Sequence, residues 1–107
     1  MSKASRDKGK RGEREVAEIL RDHGFEDARR GQQYKGSPDS PDVVGIPGFH
    51  IEVKRTEQCR LYEYMDQAVE DSDGGDIPVV WHRQSRKPWV VIMLADDFME
   101  IAKKASE

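Results

Sequence analysis

The apolar residues of the chain recur at helical spacing in three places, which predicts three helices. The first is expected over residues 8–23, with Gly24 at its C-terminal end. The second ends near residues 73–75, and the third is expected to be capped by Asp96 or Asp97. The apolar positions of these helices are, in order, Val16, Ala17, Ile19 and Leu20; Leu61, Met65, Ala68 and Val69; and Phe98, Ile101, Ala102 and Ala105.

Short apolar runs between these helices predict five strands. A strand over residues 25–30 is followed by a polar loop, residues 31–40, rich in Gly, Gln, Ser and Pro. Two further runs on either side of Pro47 and Gly48 predict a hairpin. The runs that read as strands are 25–30, 43–46, 49–53, 77–82 and 89–94. The expected order is αβββαββα, in one α/β domain.

Length and composition support one globular domain spanning residues 1–107, with a flexible basic terminus over residues 1–7. The 107 residues can bury one modest core, and charged residues make up 36 % of them. No run approaches the ~18 apolar residues of a membrane span, and the N-terminus has no apolar leader, so we expect a cytoplasmic protein with no membrane partner. Cys59 is the single cysteine, which excludes an internal disulfide and a cysteine-cluster metal site.

Charge is distributed unevenly. The net charge is −3, yet residues 1–14 carry six basic side chains against two acidic ones, while acids gather over residues 63–76. A basic N-terminal face can bind phosphates even in an acidic chain. The alternative is a solvated charged terminus. Arg83, Arg86 and Lys87 form a second basic group in a predicted turn, with the same two interpretations.

Three charged residues interrupt the most strand-like segment. Side chains alternate along a strand, so Ile51 and Val53 share one face and Glu52 and Lys54 the other. If the preceding strand pairs with this one, Asp42 arrives beside Glu52 and Lys54. Two carboxylates and a backbone carbonyl are a partial set of ligands for Mg²⁺, and a nearby lysine can orient a metal-bound water. The alternative is a surface ion pair between Glu52 and Lys54.

The hairpin imposes a geometric condition on this site. A two- or four-residue loop centred on Pro47 and Gly48 would direct Asp42 away from Glu52. Both acids can share a cation only if the loop is odd in length or a bulge shifts the face by one residue. Gly45 or Gly48 can supply the backbone angles that such a shift requires.

A third carboxylate lies on the first helix. Glu13 precedes Val16, Ala17 and Leu20 by three, four and seven positions, on the same side as the apolar stripe. An acid facing the sheet needs a cation, a partner or a solvated cleft. The alternative is that Glu13 only complements the helix dipole.

These residues carry a resemblance to a known superfamily. The segments "KGKRGEREVAEILRDHGF" (8–25), "ARR" (28–30), "PDVVG" (41–45) and "IEVK" (51–54) resemble the PD-(D/E)xK nucleases. Within that superfamily the chain is most similar to archaeal-type Holliday-junction resolvases, with stand-alone VRR-NUC type nucleases close behind. The resemblance spans residues 8 to about 94 and implies a restriction-endonuclease-like αβββαββα core, with a central mixed sheet flanked by helices.

The resemblance also implies roles for individual residues. Asp42, Glu52 and the carbonyl of Val53 match the metal ligands, Lys54 the catalytic lysine, and Glu13 the helix acid that approaches the metal directly or through water. Arg14 and Arg29 match basic positions near the scissile phosphate, and Gln67 a position that sometimes carries a site glutamine. The residues expected to bind DNA are Lys8, Lys10, Arg11, Arg14, Arg29, Arg30 and Lys35.

We therefore expect a Mg²⁺-dependent endodeoxyribonuclease, with Mn²⁺ as a substitute, that acts as a homodimer on branched DNA in recombination or repair. We expect it to be encoded by a phage or another mobile element. Two alternatives stay open: a VRR-NUC-like flap or nicking nuclease, and a non-catalytic DNA-binding module derived from a nuclease. Such resolvases tend to be basic and have a shorter loop before the catalytic Asp, so this acidic chain with its long loop departs from them. Here Ser37 or Ser40 can replace the usual loop serine.

The histidines and tryptophans are expected to be structural. His23, His50 and His82 lack the spacing of zinc ligands. Trp81 and Trp89 fall in apolar strands and are expected in the core or at an interface rather than stacking on bases. Trp89 and Phe98 are candidates for the dimer interface.

Overall fold

The computed structural model of the protein describes residues 2–31, 40–72 and 74–107, and within them the helices and strands follow the predicted order αβββαββα. The helices are α1 (Lys3–Asp22), α2 (Leu61–Asp71) and α3 (Ala95–Ala105). The strands are β1 (Arg29–Arg30), β2 (Val43–Val44), β3 (Phe49–Arg55), β4 (Ile77–Arg83) and β5 (Val90–Met93).

The five strands of the described chain form one mixed sheet in the order β1-β2-β3-β4-β5. β3 and β4 are parallel, and the other neighbouring pairs are antiparallel. A parallel pair needs a crossover connection, which α2 supplies between β3 and β4. The antiparallel pairing of β2 with β3 confirms the predicted hairpin.

Helix α1 begins at Lys3, inside the segment that we expected to be a flexible terminus. The side chain of Ser2 accepts a hydrogen bond from the Ser5 amide and so caps the helix. The apolar stripe starts only at Val16, so periodicity placed the helix start five residues too late. The added turns carry basic side chains of α1 over the edge of the sheet.

Two other predicted boundaries differ from the structure. The first predicted strand shortens to Arg29–Arg30, because the preceding residues form a turn in which the Ala28 amide donates to Phe25. α3 has Leu94 at its N-cap with no side-chain cap, so Asp96 and Asp97 lie in the first turn, where they complement the helix dipole.

The sheet buries an apolar cluster on each face. On the α1 face Val16 and Val43 are completely buried, and on the α2 face Ala68 and Val80 are. The first cluster comprises Val16, Ala17, Leu20, Ala28, Val43, Ile51 and Val53, and the second Tyr64, Met65, Ala68 and Val80. The alternation predicted for β3 is therefore confirmed, because Ile51 and Val53 both belong to the α1 cluster.

The two tryptophans pack against the α1 cluster, as the core interpretation predicted. Both are partly buried, and their rings meet edge to face with centroids 6.2 Å apart. The indole N–H of Trp89 donates to Glu15 Oε1 at 2.6 Å, and Arg83 donates to the same oxygen. Trp89 thereby ties the β4–β5 connection to α1.

Helix α1 packs closely against β3 at Gly12. A Cβ atom there would lie 2.6 Å from Arg55 Cγ and 3.4 Å from Val53 Cγ1, so a larger residue would separate helix and strand. Gly9, one turn earlier, has no neighbour of this kind within 4 Å. The close contact at Gly12 brings the following residue, Glu13, near the end of β3.

Candidate active site

The register of the hairpin places Asp42 beside Glu52. Val43 pairs with Ile51, and in an antiparallel ladder the preceding residue of one strand then lies opposite the following residue of the other. The hairpin loop between Val43 and Ile51 is therefore odd in length, which directs Asp42 to the same face as Glu52. The geometric condition drawn from the sequence is met. Gly45 and Gly48 both have positive φ, +97° and +88°, which supplies the predicted backbone angles.

Asp42 is fixed at the edge of β3 by two backbone contacts. Its amide donates to the Ile51 carbonyl at 2.8 Å, and its Oδ2 accepts from the Val53 amide at 2.8 Å. In an antiparallel pair the N–H and C=O of one residue point to the same neighbouring strand, so the Val53 carbonyl faces the side on which Asp42 lies. Asp42 Oδ2 and the Val53 backbone are thus adjacent.

The two carboxylates share a poorly hydrated site. Burial, and then the neighbouring Glu52 carboxylate, raise the pKa of Asp42 to about 7, against the opposing hydrogen bond from Val53. Burial also raises the pKa of Glu52, although its hydrogen bond with Asp42 and the charge of Lys54 oppose the rise. The carboxyl groups are close enough to share a proton or, in its place, a cation.

Glu52 lies deeper than Asp42. It is 7 % exposed and sits in register with Val80, which belongs to the apolar cluster under α2. Its Oε1 is 2.8 Å from His50 Nε2, and His50 is itself buried. When Glu52 is ionised it can only accept, so His50 Nε2 then donates the hydrogen bond. His50, which the sequence predicted to be a structural histidine, therefore orients the Glu52 carboxylate.

Glu13 faces the site, as its place on the apolar side of the helix predicted. Its Oε1 accepts from Arg30 Nε at 3.0 Å, and about a fifth of its side chain is exposed. Burial, followed by the charge of Asp42, raises the pKa of Glu13, while Arg30 acts in the opposite direction. Glu13 is therefore near enough to Asp42 for their charges to interact, with Arg30 as its ion partner.

An open cleft of about 840 Å³ runs along this edge of the sheet. Asp42, Val53 and Lys54 contribute to its floor, with Glu13 on the α1 side, whereas Glu52 lies behind the surface. Its walls come from the N-terminal half of α1, the end of β1, the end of β3 and the start of α2. The lining residues are Ser5, Arg6, Lys8, Gly9, Lys10, Glu13, Arg30, Gly31, Asp42, Val53, Lys54, Arg55, Thr56, Glu57 and Tyr64.

The cleft contains some of the basic residues expected to bind DNA. Lys8, Lys10 and Arg30 line it, and Arg6 joins them. Lys8 donates to Glu57 at 3.1 Å. The hydroxyl of Ser85 and then this ammonium group lower the pKa of Glu57 to about 2, so Glu57 is ionised at neutral pH.

Other residues expected at the site lie elsewhere. Arg11, Arg14 and Arg29 are exposed and do not line the cleft, and Arg29 donates to the Asp27 carbonyl at 2.9 Å. Gln67 is exposed on α2, outside the cleft. Lys35 and Ser37 lie outside the described residues, as does most of the loop before Asp42.

Sequence reasoning did not find several residues of this site. Thr56, Glu57 and Tyr64 reach the cleft from the β3–α2 connection and from α2 itself. His50 had a usable signal, because it lies two residues before Glu52 and so shares its strand face. No sequence pattern identifies Arg6 or Tyr64 as a cleft residue, because only tertiary packing brings α1 and α2, which carry them, to the end of β3.

The donor set fits a hard divalent cation. Within residues 2–31, 40–72 and 74–107 no three His, Cys, Asp or Glu side chains converge on a metal-sized position. Mg²⁺, however, retains several waters and needs only one or two carboxylates from a protein. Asp42 and Glu52, with raised pKa values and an adjacent backbone carbonyl, meet that requirement.

The mixed sheet with its flanking helices is an α/β fold consistent with the restriction-endonuclease-like class. Residues 4–107 match the family model described as "Phage putative PDDEXK endonuclease". The chain therefore belongs to this family of the PD-(D/E)xK superfamily. Comparisons with curated proteins and with solved structures found no match. No helix of the described residues combines the length and apolar character needed to cross a bilayer.

Proposed function

We propose that this protein is a Mg²⁺-dependent endodeoxyribonuclease that hydrolyses phosphodiesters in branched DNA, with a role in recombination or repair. The observation that carries the proposal is the pairing of Val43 with Ile51 in the hairpin, which sets Asp42 next to Glu52 and Lys54. Membership of a PDDEXK endonuclease family supports nuclease chemistry. The resemblance of the chain to junction resolvases supports branched DNA as the substrate.

Asp42, Glu52 and the Val53 carbonyl would hold the cation. When bound, Mg²⁺ neutralises charge on the phosphate and lowers the pKa of a coordinated water; Mn²⁺ would substitute for it. Asp42 presents one oxygen to the Val53 amide, which fixes the orientation of its carboxylate. His50 does the same for Glu52. Two acids held in this way need little reorganisation when a cation enters.

Lys54 and the cleft walls would act on the DNA itself. Lys54 lies in the cleft and can donate hydrogen bonds to the attacking water or to a phosphate oxygen. Arg30 is well placed to exchange its contact with Glu13 for one with a phosphate, since both side chains line the cleft. Arg6, Lys8 and Lys10 extend this basic surface along α1. A local basic cleft of this kind offsets the net charge of −3 of the whole chain.

We assign the dimer contact to the surface formed by β5 and α3. β5 is an edge strand, and Phe98 and Met99 of α3 are 55 % and 61 % exposed. Val90, Val91 and Leu94 extend this apolar surface. A two-fold pair formed here would supply the two active sites that symmetric cleavage of a junction requires. Trp89, the other candidate from the sequence, packs mainly against the α1 cluster.

The deciding experiment compares cleavage of labelled four-way junction, flap and linear duplex, with Mg²⁺ and with EDTA. We expect the wild type to cut the junction preferentially and only with metal. Asp42→Asn and Glu52→Gln should abolish cleavage and retain DNA binding, because each removes an anionic ligand without removing the basic cleft. Asp66→Asn, an exposed acid of α2 outside the cleft, is the matched control and should cut normally.

The same assay separates the alternatives. Preference for flaps or for nicking of duplex would support the VRR-NUC-like function. DNA binding with no cleavage of any substrate would support a non-catalytic module. Normal cleavage by Asp42→Asn would refute the metal assignment.

A further inference from the structure

Lys54 lies over an aromatic ring that the proposed chemistry does not use. Its Nζ is 5.4 Å from the centroid of Tyr64, and both side chains line the cleft. An ammonium group at this distance from an aromatic face is attracted by the ring quadrupole. A lysine side chain is otherwise a flexible four-carbon stem, so a contact of this kind restricts where its charge can lie.

Tyr64 is itself held rigidly. It is 9 % exposed and packs with Met65, Ala68 and Val80 under α2. Its hydroxyl lies 2.8 Å from Thr56 Oγ1 and 3.2 Å from the Gln58 carbonyl. Thr56 Oγ1 donates its own proton to that carbonyl at 2.6 Å, so Thr56 can accept the proton of the Tyr64 hydroxyl.

A buried histidine completes this network from the neighbouring strand. His82 Nε2 lies 3.0 Å from both the carbonyl oxygen and Oγ1 of Thr56. Because a carbonyl only accepts, Nε2 carries the proton and donates it to Thr56. His82 is 6 % exposed, and its ring centroid is 6.1 Å from that of Tyr64. Hydrogen bonds thus link β4, through Thr56, to the ring beneath Lys54.

We propose that Tyr64 is a positioning residue that holds the Lys54 ammonium group at the cleft floor, with its ring anchored by the Thr56–His82 network. The inference rests on the proposed nuclease function for its consequence in catalysis, but the placement of Lys54 can be measured separately. Thr56 is two residues after Lys54 on β3 and its extension, so the anchor and the lysine are also joined through the backbone.

The test measures the Lys54 side chain by NMR and cleavage by steady-state kinetics in the same variants. Ring currents shift protons above an aromatic face upfield, so the ε-CH₂ protons of Lys54 should be upfield in the wild type and in Tyr64→Phe. In Tyr64→Leu they should return towards the value of an unperturbed lysine. We expect kcat in Tyr64→Leu to fall roughly tenfold, short of the hundredfold that a displacement of about 1 Å can cause, with KM for DNA within about twofold.

Matched variants separate positioning from loss of structure. Tyr62→Leu changes a tyrosine on the same helix that is 82 % exposed, and should alter neither the Lys54 signal nor kcat. Tyr64→Phe retains the ring and should recover most of the activity. If Tyr64→Leu does not fold, as judged by its amide spectrum, Tyr64→Met provides a second apolar replacement that lacks the ring.

The outcomes are distinguishable. An unchanged Lys54 signal in a folded Tyr64→Leu or Tyr64→Met protein would overturn the proposal, whatever the activity. A shifted signal with unchanged kcat would overturn the catalytic role of the contact. If the wild type cleaves no DNA, the proposed function fails, and the NMR measurement still decides whether Tyr64 holds Lys54.

Discussion

The pH dependence of folding provides a measurement of the acidic pair that does not require a DNA substrate. The pKa of the Asp42 carboxyl is 3.8 when it is fully hydrated, and burial in the fold raises it to about 7. Between these values the metal-free folded protein holds a proton that the unfolded chain has released, so the free energy of unfolding falls as pH rises. The loss of stability caused by Asp42 is complete above pH 7 and disappears as pH falls towards 3.8.

The size of this effect follows from the shift. At about 1.4 kcal/mol per pKa unit, a difference of roughly three units corresponds to about 4 kcal/mol, of which about 3 kcal/mol develops between pH 5 and pH 8. Asp42 and Glu52 titrate as a pair, so the measured value belongs to both carboxyl groups. Asn at position 42 has the same shape and can still accept from the Val53 amide. It also removes the charge that raises the pKa of Glu13.

The assay is urea unfolding of wild type and Asp42→Asn in EDTA at pH 5 and pH 8. We expect the wild type to lose about 3 kcal/mol relative to the variant across this interval, so that Asp42→Asn is the more stable protein at pH 8. Asp66→Asn should follow the wild type. Mg²⁺ at pH 8 should stabilise the wild type through binding to the folded state and leave Asp42→Asn unchanged. Parallel stability curves for wild type and Asp42→Asn would refute a buried, charge-coupled pair.

Two further predictions concern packing and assembly. Gly12→Ala should destabilise the protein by about 1 kcal/mol or more, because the added Cβ atom would overlap with Arg55. Gly9→Ala, in an open part of the same helix, should stabilise the protein by about 0.5–1 kcal/mol. Urea unfolding of both variants measures the difference, and equal effects would contradict the close contact at Gly12. Phe98→Glu should convert a dimer to a monomer in light scattering and leave the chain folded, as judged by circular dichroism, because Phe98 is more than half exposed in the single chain. A wild type that is monomeric at working concentration would favour the nicking or flap alternative.

The strand carrying the acids was the most predictable part of the fold. Alternation along one strand depends only on local geometry, so the separation of Ile51 and Val53 from Glu52 and Lys54 could be read directly. For Asp42 and Glu52, the sequence showed which hairpin registers would bring the two side chains together, but it did not show which register forms. Loop geometry decides it, and the sequence showed only that glycines were available for the required angles.

Helix faces were less predictable than strand faces. The apolar stripe of α2 included Leu61 and Val69, yet both are at least 40 % exposed, while Tyr64 is buried in their place. A tyrosine carries an apolar ring and a hydroxyl, so its burial depends on a partner for that hydroxyl. Here the partner, Thr56, comes from the connection after β3, a contact that no periodicity reports.

The same dependence on tertiary contacts explains why the basic surface was only partly identified. Along the sequence, Arg29 and Arg30 are equivalent, but β1 directs them differently: Arg30 reaches Glu13 in the cleft, and Arg29 bonds the nearby Asp27 carbonyl. A two-residue strand leaves no pattern from which this alternation could be read. The charge pattern therefore identified the helix that lines the cleft, and packing against β3 selected the side chains that enter it. Arg30 pairs with Glu13, and the charge of Asp42 raises the pKa of Glu13, so these three side chains are electrostatically linked and should be altered together in any redesign of the site.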